Sequence, residues 1–257
     1  MNQPTAPESA PLPVISPDPL LSATSILDFD HPQISQLVRA RSWTDLPEFE
    51  RIGAIYTFVR DEVDFGYNAH DDIAASRVLA DGFGQCNTKA SLLMALLRGS
   101  GIRCRFHGAA IHKLLQRGIV NGLFYRLAPD EILHSWVEVE YKGRWVGLEG
   151  VIVDRVYLDG LRETFPDRRE DFLGYGVGTA TLGDPPIEWD GSDTEIQMAG
   201  LRSDHGVFVD PDSFYASIGT NLSGARRTLY WLVVRRWMNR NARAIRRRSP
   251  CHFMRHH

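Results

Sequence analysis

The sequence is poor in cysteine and has no long hydrophobic run. Its three cysteines are few and odd in number, which excludes a disulfide scaffold and indicates free thiols in a reducing compartment. The longest candidate for a membrane span, residues 229–234, is far shorter than the roughly 18 apolar residues that a span needs. The start has no basic region followed by an apolar run, so the sequence predicts no secretory signal. We therefore expect a soluble, cytoplasmic protein.

The chain also lacks a strong overall excess of either charge. Its formal net charge is −3, but this average conceals two opposed blocks. Residues 213–257 contain ten arginines and no acidic residue, whereas the first 212 residues contain 19 basic and 32 acidic ones. The basic block predicts either a helix packed on the acidic body or a weak contact with an anionic or membrane surface. We expect no specific nucleic-acid partner.

The order of patterns along the chain predicts one main domain with extensions. Residues 1–22 are rich in proline and predict a disordered N-terminal arm. The core is expected over residues 23–155, where helical spacing gives way to alternating strands, which is an α+β arrangement. Residues 156–222 predict an irregular extension wrapped on the core. Residues 223–257 predict a basic C-terminal helix followed by a loose tail.

A cysteine opens the most apolar helix of the chain. Cys86 follows the loop Gly82-Phe83-Gly84-Gln85 and begins a helix that is predicted over residues 86–98. The unpaired N–H groups at a helix start favour a thiolate and can bind a developing oxyanion. The pattern therefore predicts a nucleophilic cysteine. The alternative is a small buried hydrophobic side chain, which is the role of most free cysteines.

A thiol nucleophile needs a base, and the predicted hairpin after His134 supplies a candidate with a partner. If Lys142-Gly143 is a two-residue turn, the numbers of opposed residues sum to 285. Glu149 then lies diagonal to His134 on the same face, within roughly 7–8 Å by backbone distance. Its carboxylate can hold the imidazole in one tautomer. Asp154 is the competing acid, because a bulge would bring it to the same face.

Three sequence blocks occur in a familiar order over about residues 50–155. They are Gly84-Gln85-Cys86 with Ala90, Leu92-Leu93, Ala95-Leu96-Leu97-Arg98 and Gly101-Ile102-Arg103-Cys104-Arg105, then His134-Ser135-Trp136-Val137-Glu138-Val139, then Gly143-Arg144-Trp145-Val146-Gly147-Leu148-Glu149. Together they resemble the cysteine, histidine and acid blocks of the transglutaminase-like superfamily. The resemblance implies a papain-like α+β fold, in which the catalytic cysteine begins a helix packed on an antiparallel sheet that carries the histidine and the acid.

The resemblance also implies roles for individual residues. Cys86 corresponds to the nucleophile, His134 to the base and Glu149 to the orienting acid. The third block of the family usually ends in aspartate, so Glu149 is a departure by one methylene. Active members of the family attack an amide carbonyl with the thiolate and form an acyl-enzyme.

The function implied is cysteine-dependent acyl transfer on a peptide or protein amide, most often ending in hydrolysis. The alternatives are transfer of the acyl group to an amine and a catalytically inactive interaction module on the same scaffold. We expect no cofactor and no metal, because the spacing of the candidate ligands matches no zinc pattern; these are Cys104, His107 and His112.

Four further residues are candidates for oxyanion or substrate contacts. Gln85 is adjacent to the predicted nucleophile, but a papain-type enzyme has its glutamine six positions before the cysteine, where this chain has Ala80. Tyr67 and Asn68 lie upstream in a loop, and Trp136 shares the predicted inward face of His134. Each has a purely structural alternative.

Overall fold

A computed structural model describes residues 18–120, 122–221 and 230–251. Its α-helices are α1 (Pro32–Ala40), α2 (Glu48–Asp61), α3 (Ala75–Asp81), α4 (Cys86–Gly99), α5 (Gly122–Leu127), α6 (Arg155–Thr164), α7 (Pro211–Ile218) and α8 (Arg235–Arg246). Its strands are β1 (Asp64–Phe65), β2 (Phe83–Gly84), β3 (Cys104–His112), β4 (Glu131–Tyr141), β5 (Arg144–Gly147), β6 (Phe172–Gly174), β7 (Val177–Thr179) and β8 (Leu201–Phe208).

The centre of the fold is a helix packed on an antiparallel sheet. The four strands are ordered β5-β4-β3-β8, and every neighbouring pair is antiparallel. Helix α4 packs against β3 and β4 and is itself covered by α2 and α3. Nearly all of its residues are buried, since apolar side chains occur on every side of this helix. The α+β architecture expected from the sequence is thus confirmed.

The hairpin between β4 and β5 has the predicted two-residue turn. Lys142 and Gly143 have φ values of 49° and 74°, as a type I′ turn requires. The strand register follows the predicted sum, for example in the pair Glu138 and Gly147. The returning strand is shorter than expected, however, because a 3₁₀-helix (Glu149–Ile152) replaces it after β5.

The segment after α6 is more regular than the sequence indicates. It contains the β6–β7 hairpin, strand β8 and helix α7, where we predicted irregular structure over residues 156–222. Strand β8 forms the edge of the central sheet beside β3, with register shifts at Gly108/Ala109 and Ala110/Ile111. An edge strand that is largely exposed need not alternate apolar and polar residues, so its sequence gives a weak signal.

The C-terminal helix α8 packs against the rest of the protein. This corrects the loose tail predicted from residue 243 onwards, as far as the described chain extends. Ile245 and Arg246 are buried, and α8 packs against α6. A Cβ on Gly160 would lie 2.1 Å from the Ile245 carbonyl oxygen, so only glycine permits this approach of the two helices. The Arg246 guanidinium binds the carboxylates of Asp154 and Asp64.

Parts of the predicted arm, helix and tail lie outside the described residues, namely 1–17, 222–229 and 252–257. At the end of the arm, Pro19–Leu21 forms a 3₁₀-helix that Asp18 caps. Within the described ranges, no helix has the length and apolar character to cross a membrane.

A buried lysine links α4 to the end of α2. Lys89 is fully buried, and its Nζ donates to the carbonyl oxygens of Arg60 and Val63 at 3.1 and 2.9 Å. Burial lowers the pKa of Lys89 to about 7, although the carboxylate of Asp154 opposes the shift. The amine therefore loses its proton near neutral pH in the folded chain, whereas it keeps it to about pH 10 in the unfolded chain.

We predict that Lys89 makes folding more favourable as pH rises from about 7 towards 10. In this window the unfolded chain binds the additional proton, so the free energy of unfolding increases with pH by at most about 1.4 kcal/mol per unit. Denaturant titrations at several pH values test this. The Lys89→Met variant should lose this increase, while Lys142→Met, at the exposed hairpin turn, should keep it. An unchanged slope in Lys89→Met would contradict the assignment.

Candidate active site

Cys86 is the first residue of α4, and the chain before it is held close to the helix. A Cβ on Gly84 would lie 2.7 Å from Thr88 Oγ1 and 2.9 Å from Lys89 Cγ, so the glycine lets β2 run against the first turn. The Gln85 N–H donates to Thr88 Oγ1 at 3.1 Å, which satisfies a donor before the helix. These contacts fix the position at which the Cys86 side chain leaves the helix.

Asn87 attaches the start of α4 to strand β4 on both sides of His134. Its Nδ2 donates to the Leu133 carbonyl oxygen at 3.2 Å, and its Oδ1 accepts from the Ser135 hydroxyl at 2.9 Å. The Cys86 thiol donates to Asn87 Oδ1 at 3.7 Å, and the backbone N–H groups of Asn87 and Ser135 are near enough to lower the pKa of the thiol. The structure thus brings the thiol against the backbone of β4 beside His134.

The Cys86 thiol is only 8% exposed, and burial raises its pKa well above the ordinary value. The carboxylates of Asp71 and Glu149 raise the pKa further, and the N–H groups of Asn87 and Ser135 lower it by less. The thiolate expected from the helix start alone is therefore outweighed by desolvation. In the resting protein the sulfur holds its proton, so attack on a carbonyl needs a base.

We predict that Asp71→Asn speeds the alkylation of Cys86 by iodoacetamide at neutral pH. Removing the nearby negative charge lowers the thiol pKa, and one unit corresponds to about a tenfold change in thiolate. Peptide mapping by mass spectrometry separates Cys86 from Cys104 and Cys251. The matched control is Asp72→Asn, an exposed neighbour. An equal acceleration in both variants would contradict the role of Asp71.

His134 lies in β4 opposite Ala109 and is fully buried. Its Nε2 is 3.2 Å from Glu149 Oε1. The direction of this contact is not that of a hydrogen bond, and neither ring nitrogen has a hydrogen-bond partner among the described residues. The proximity itself is what the hairpin register predicts for Glu149.

Glu149 is positioned by a segment that sequence analysis did not connect to it. Its carboxylate accepts from the N–H groups of Ile196 and Gln197, the latter at 3.0 and 3.1 Å. Its own N–H donates to the Thr194 carbonyl oxygen at 3.1 Å. These backbone donors fix the Glu149 carboxylate in place beside the His134 ring.

Asp154, the alternative acid, is occupied elsewhere. Its Oδ2 accepts from the Phe65 N–H at 2.8 Å, and its Oδ1 caps α6 by accepting from the Tyr157 N–H at 2.9 Å. Arg246 binds the same carboxylate. These contacts of Asp154 are structural, so the geometry favours Glu149 as the acid beside His134.

Gln85 and Asn68 belong to a buried network that supports the loop before α4. Gln85 Oε1 accepts from the Asn68 N–H at 2.8 Å, and Gln85 Nε2 donates to Asp71 Oδ1 at 3.0 Å. The Asn68 side chain donates to Asp81 and to the Phe83 carbonyl oxygen, each at 3.0 Å. Both side-chain amides thus hydrogen-bond within the protein, as expected if their role is structural.

Tyr67 and Trp136 lie on different sides of the candidate site. The Tyr67 hydroxyl donates to Gln116 Oε1 at 2.9 Å and its side chain lines a cavity with Cys86. Trp136 stacks on His107, with ring centroids 4.0 Å apart, and its ring lies 5.7 Å from that of His134. Tyr67 thus lies on the cavity lining, whereas Trp136 packs beside the histidine ring.

Cys86 opens onto a cavity of about 270 Å³. The lining is mostly apolar and comes from the ends of β3 and β4, the segment around α5, and the chain at 230–238. The apolar side chains are Phe65, Ile111, Val120, Phe124, Leu127, Ala128, Pro129, Ile132, Leu133, Val234 and Met238. Asp71, Asp72 and Asn87 lie on the same lining. Asp71 and Asn87 were not singled out in the sequence, because their roles depend on contacts between distant segments.

Comparison with protein families identifies the central part of the chain. Residues 36–149 match the model described as the transglutaminase-like superfamily, which confirms the resemblance predicted from the three sequence blocks. No curated protein matches the chain.

Two solved structures share limited similarity with the chain. One is a candidate cysteine protease from Cytophaga hutchinsonii, 15% identical with a TM-score of 0.43, where the match covers 78% of this chain and 51% of that one. The other is a candidate protease from Parabacteroides distasonis ATCC 8503, 18% identical with a TM-score of 0.33, where the match covers 50% of this chain and 25% of that one. This chain therefore spans about half the length of the first structure and a quarter of the second.

Proposed function

We propose that this chain, in which residues 36–149 form a domain of the transglutaminase-like superfamily, is a cysteine-dependent enzyme that hydrolyses a peptide or other amide. The observation that carries the proposal is the convergence of three groups at the start of α4. The Cys86 thiol donates to Asn87, which hydrogen-bonds to both neighbours of His134 in β4, Leu133 and Ser135. His134 Nε2 lies 3.2 Å from the Glu149 carboxylate. Thiol, imidazole and carboxylate are the groups that nucleophilic acyl transfer uses.

In the proposed reaction, Cys86 Sγ attacks the amide carbonyl carbon while His134 takes the thiol proton. The N–H groups at the start of α4 stabilise the oxyanion. The C–N bond then breaks, His134 passes the proton to the leaving amine, and a thioester remains on Cys86. Water, deprotonated by His134, attacks the thioester and releases a carboxylic acid and the free thiol. Glu149 stabilises the imidazolium in both half-reactions.

The fate of the acyl-enzyme separates the proposed hydrolysis from the alternatives. The protein is mixed with p-nitrophenyl hexanoate in the presence and absence of methylamine, and the products are identified by mass spectrometry. Hydrolysis predicts hexanoic acid as the main product in both mixtures. N-methylhexanamide as the main product would instead indicate amine transfer. Failure to release p-nitrophenol faster than a Cys86→Ala variant would indicate an inactive scaffold.

A further inference from the structure

One wall of the cavity beside Cys86 is built by the chain's own C-terminal segment. Tyr230, Val234 and Met238 line this wall, and all three lie outside the matched residues 36–149. Met238 is buried, while the Tyr230 hydroxyl reaches the Asn68 carbonyl oxygen at 3.4 Å. Part of the cavity lining therefore comes from a segment outside the family match.

Specific contacts fix this wall to the domain. The Asn239 side chain accepts from the Tyr67 N–H at 2.7 Å and donates to the Tyr67 carbonyl oxygen at 3.0 Å. Asn241 Nδ2 donates to the Ile119 carbonyl oxygen at 2.8 Å. Arg246 anchors the end of α8 at Asp154. These contacts join the wall to Tyr67, which lines the cavity, and to Ile119, which flanks it. The wall is therefore an integral part of the pocket.

The charge of the lining restricts what can bind. Asp71 and Asp72 are on the lining, and no lysine or arginine occurs among its described residues. These two carboxylates repel an anionic ligand, which would also lose hydration against the mostly apolar lining. The volume of about 270 Å³ is close to the lower end of small-molecule pockets, about 300 Å³. One bulky apolar group fits these properties.

We infer that the cavity is an acyl pocket for an uncharged amide or ester whose acyl part carries a bulky apolar group, and that Val234 on its lining limits the size of that group. The inference rests on the proposed function, because it places the acyl carbonyl at Cys86. The apolar group can be an aliphatic chain or an aromatic peptide side chain, since both share the chemistry that the lining recognises.

Protection of Cys86 from alkylation tests the pocket without requiring turnover. The full chain is treated with iodoacetamide at mildly alkaline pH, and the rate at Cys86 is followed by peptide mapping. Hexanamide and N-acetylphenylalaninamide are the two uncharged probes, and hexanoate is the anionic control. At ten times its dissociation constant, a bound amide should lower the rate about tenfold, whereas hexanoate at the same concentration should leave it nearly unchanged. If only one amide protects, the pocket is still supported. The result then shows whether the apolar group is an aliphatic chain or an aromatic side chain.

A matched pair of substitutions locates the occupant. Val234→Phe adds bulk to the lining and should raise the amide concentration needed for half-protection by roughly 10-fold to 200-fold, and Val234→Leu should act in the same direction by less. Val233→Phe adds the same group to a neighbour that is 44% exposed and outside the lining, and should change nothing. Thermal unfolding checks that each variant is folded.

Three results would overturn the inference: protection by neither amide, equal protection by hexanoate, or the same effect of phenylalanine at positions 233 and 234. None of them depends on an active enzyme. A protein that shows protection but forms no acyl-enzyme would retain the pocket and refute only the proposed function.

Discussion

Replacing His134 with alanine lowers the rate of acyl-enzyme formation at neutral pH by roughly a thousandfold or more. The reason lies in the thiol. Burial and the neighbouring carboxylates raise the pKa of Cys86, so the resting protein contains little thiolate. Without an imidazole to take the proton, attack on a carbonyl depends on that small fraction.

The pH profile distinguishes this role from a structural one. In His134→Ala the rate should rise about tenfold per pH unit through neutrality, because it follows the thiolate fraction. His134→Gln keeps a polar side chain in the buried site and should show the same loss. This variant shows that the loss does not come only from the space that alanine leaves at position 134. His205→Ala, on the edge strand β8, is the matched histidine control. Equal rates in wild-type protein and both His134 variants would remove His134 from the mechanism.

Replacing Arg246 with methionine should lower the free energy of unfolding by about 3–5 kcal/mol. Arg246 and Asp154 are both buried and bind each other. Burial by itself raises the pKa of Asp154, but Arg246 and the Phe65 N–H hold the pKa below its ordinary value. Methionine fills a similar space but leaves the buried Asp154 carboxylate without its cation. This lowers the free energy of unfolding far more than the loss of an exposed ion pair does.

Denaturant titration measures this loss, and two further variants control it. Arg243→Met changes an exposed arginine of the same helix and should cost less than about 0.5 kcal/mol. Asp154→Asn combined with Arg246→Met should recover part of the loss, because neither member of the pair then leaves an unpaired charge. Since Arg246 lowers the pKa of Asp154, the pair stabilises the protein above about pH 4 and loses its effect as the carboxyl protonates. Equal destabilisation by Arg243→Met and Arg246→Met would contradict the account.

The candidate site follows from the sequence wherever local rules determine it. The Lys142-Gly143 turn sets the register of the hairpin as far as the pair Glu138 and Gly147, two residues before Glu149. The loop that ends at Gly84 sets Cys86 at the start of its helix. In each case the position is fixed by a turn, a cap or a strand period, which neighbouring residues encode.

Other features depend on segments that are distant in the chain. Strand β8 is recognised only by its pairing with β3, and the Glu149 carboxylate is held by N–H groups almost 50 residues away. The raised pKa of Cys86 depends on burial and on Asp71, so the local argument from the helix start predicts the opposite direction. Long-range packing and desolvation cannot be predicted from a short stretch of sequence.

The basic C-terminal block has one feature that the sequence predicts and one that it does not. Its charge pattern predicts a helix that meets the acidic body, and Arg246 makes such a contact with Asp154 and Asp64. The pattern gives no sign, however, that the same segment lines the cavity beside Cys86 through Val234 and Met238.

The most direct test of the central claim is to identify the residue that carries the acyl group. The protein is mixed with p-nitrophenyl hexanoate, quenched in acid within the burst and digested for peptide mapping. The account predicts about one equivalent of p-nitrophenol per protein, a hexanoyl thioester on Cys86, and loss of both in Cys86→Ala. A burst that persists in Cys86→Ala, or an adduct on another residue, would contradict it.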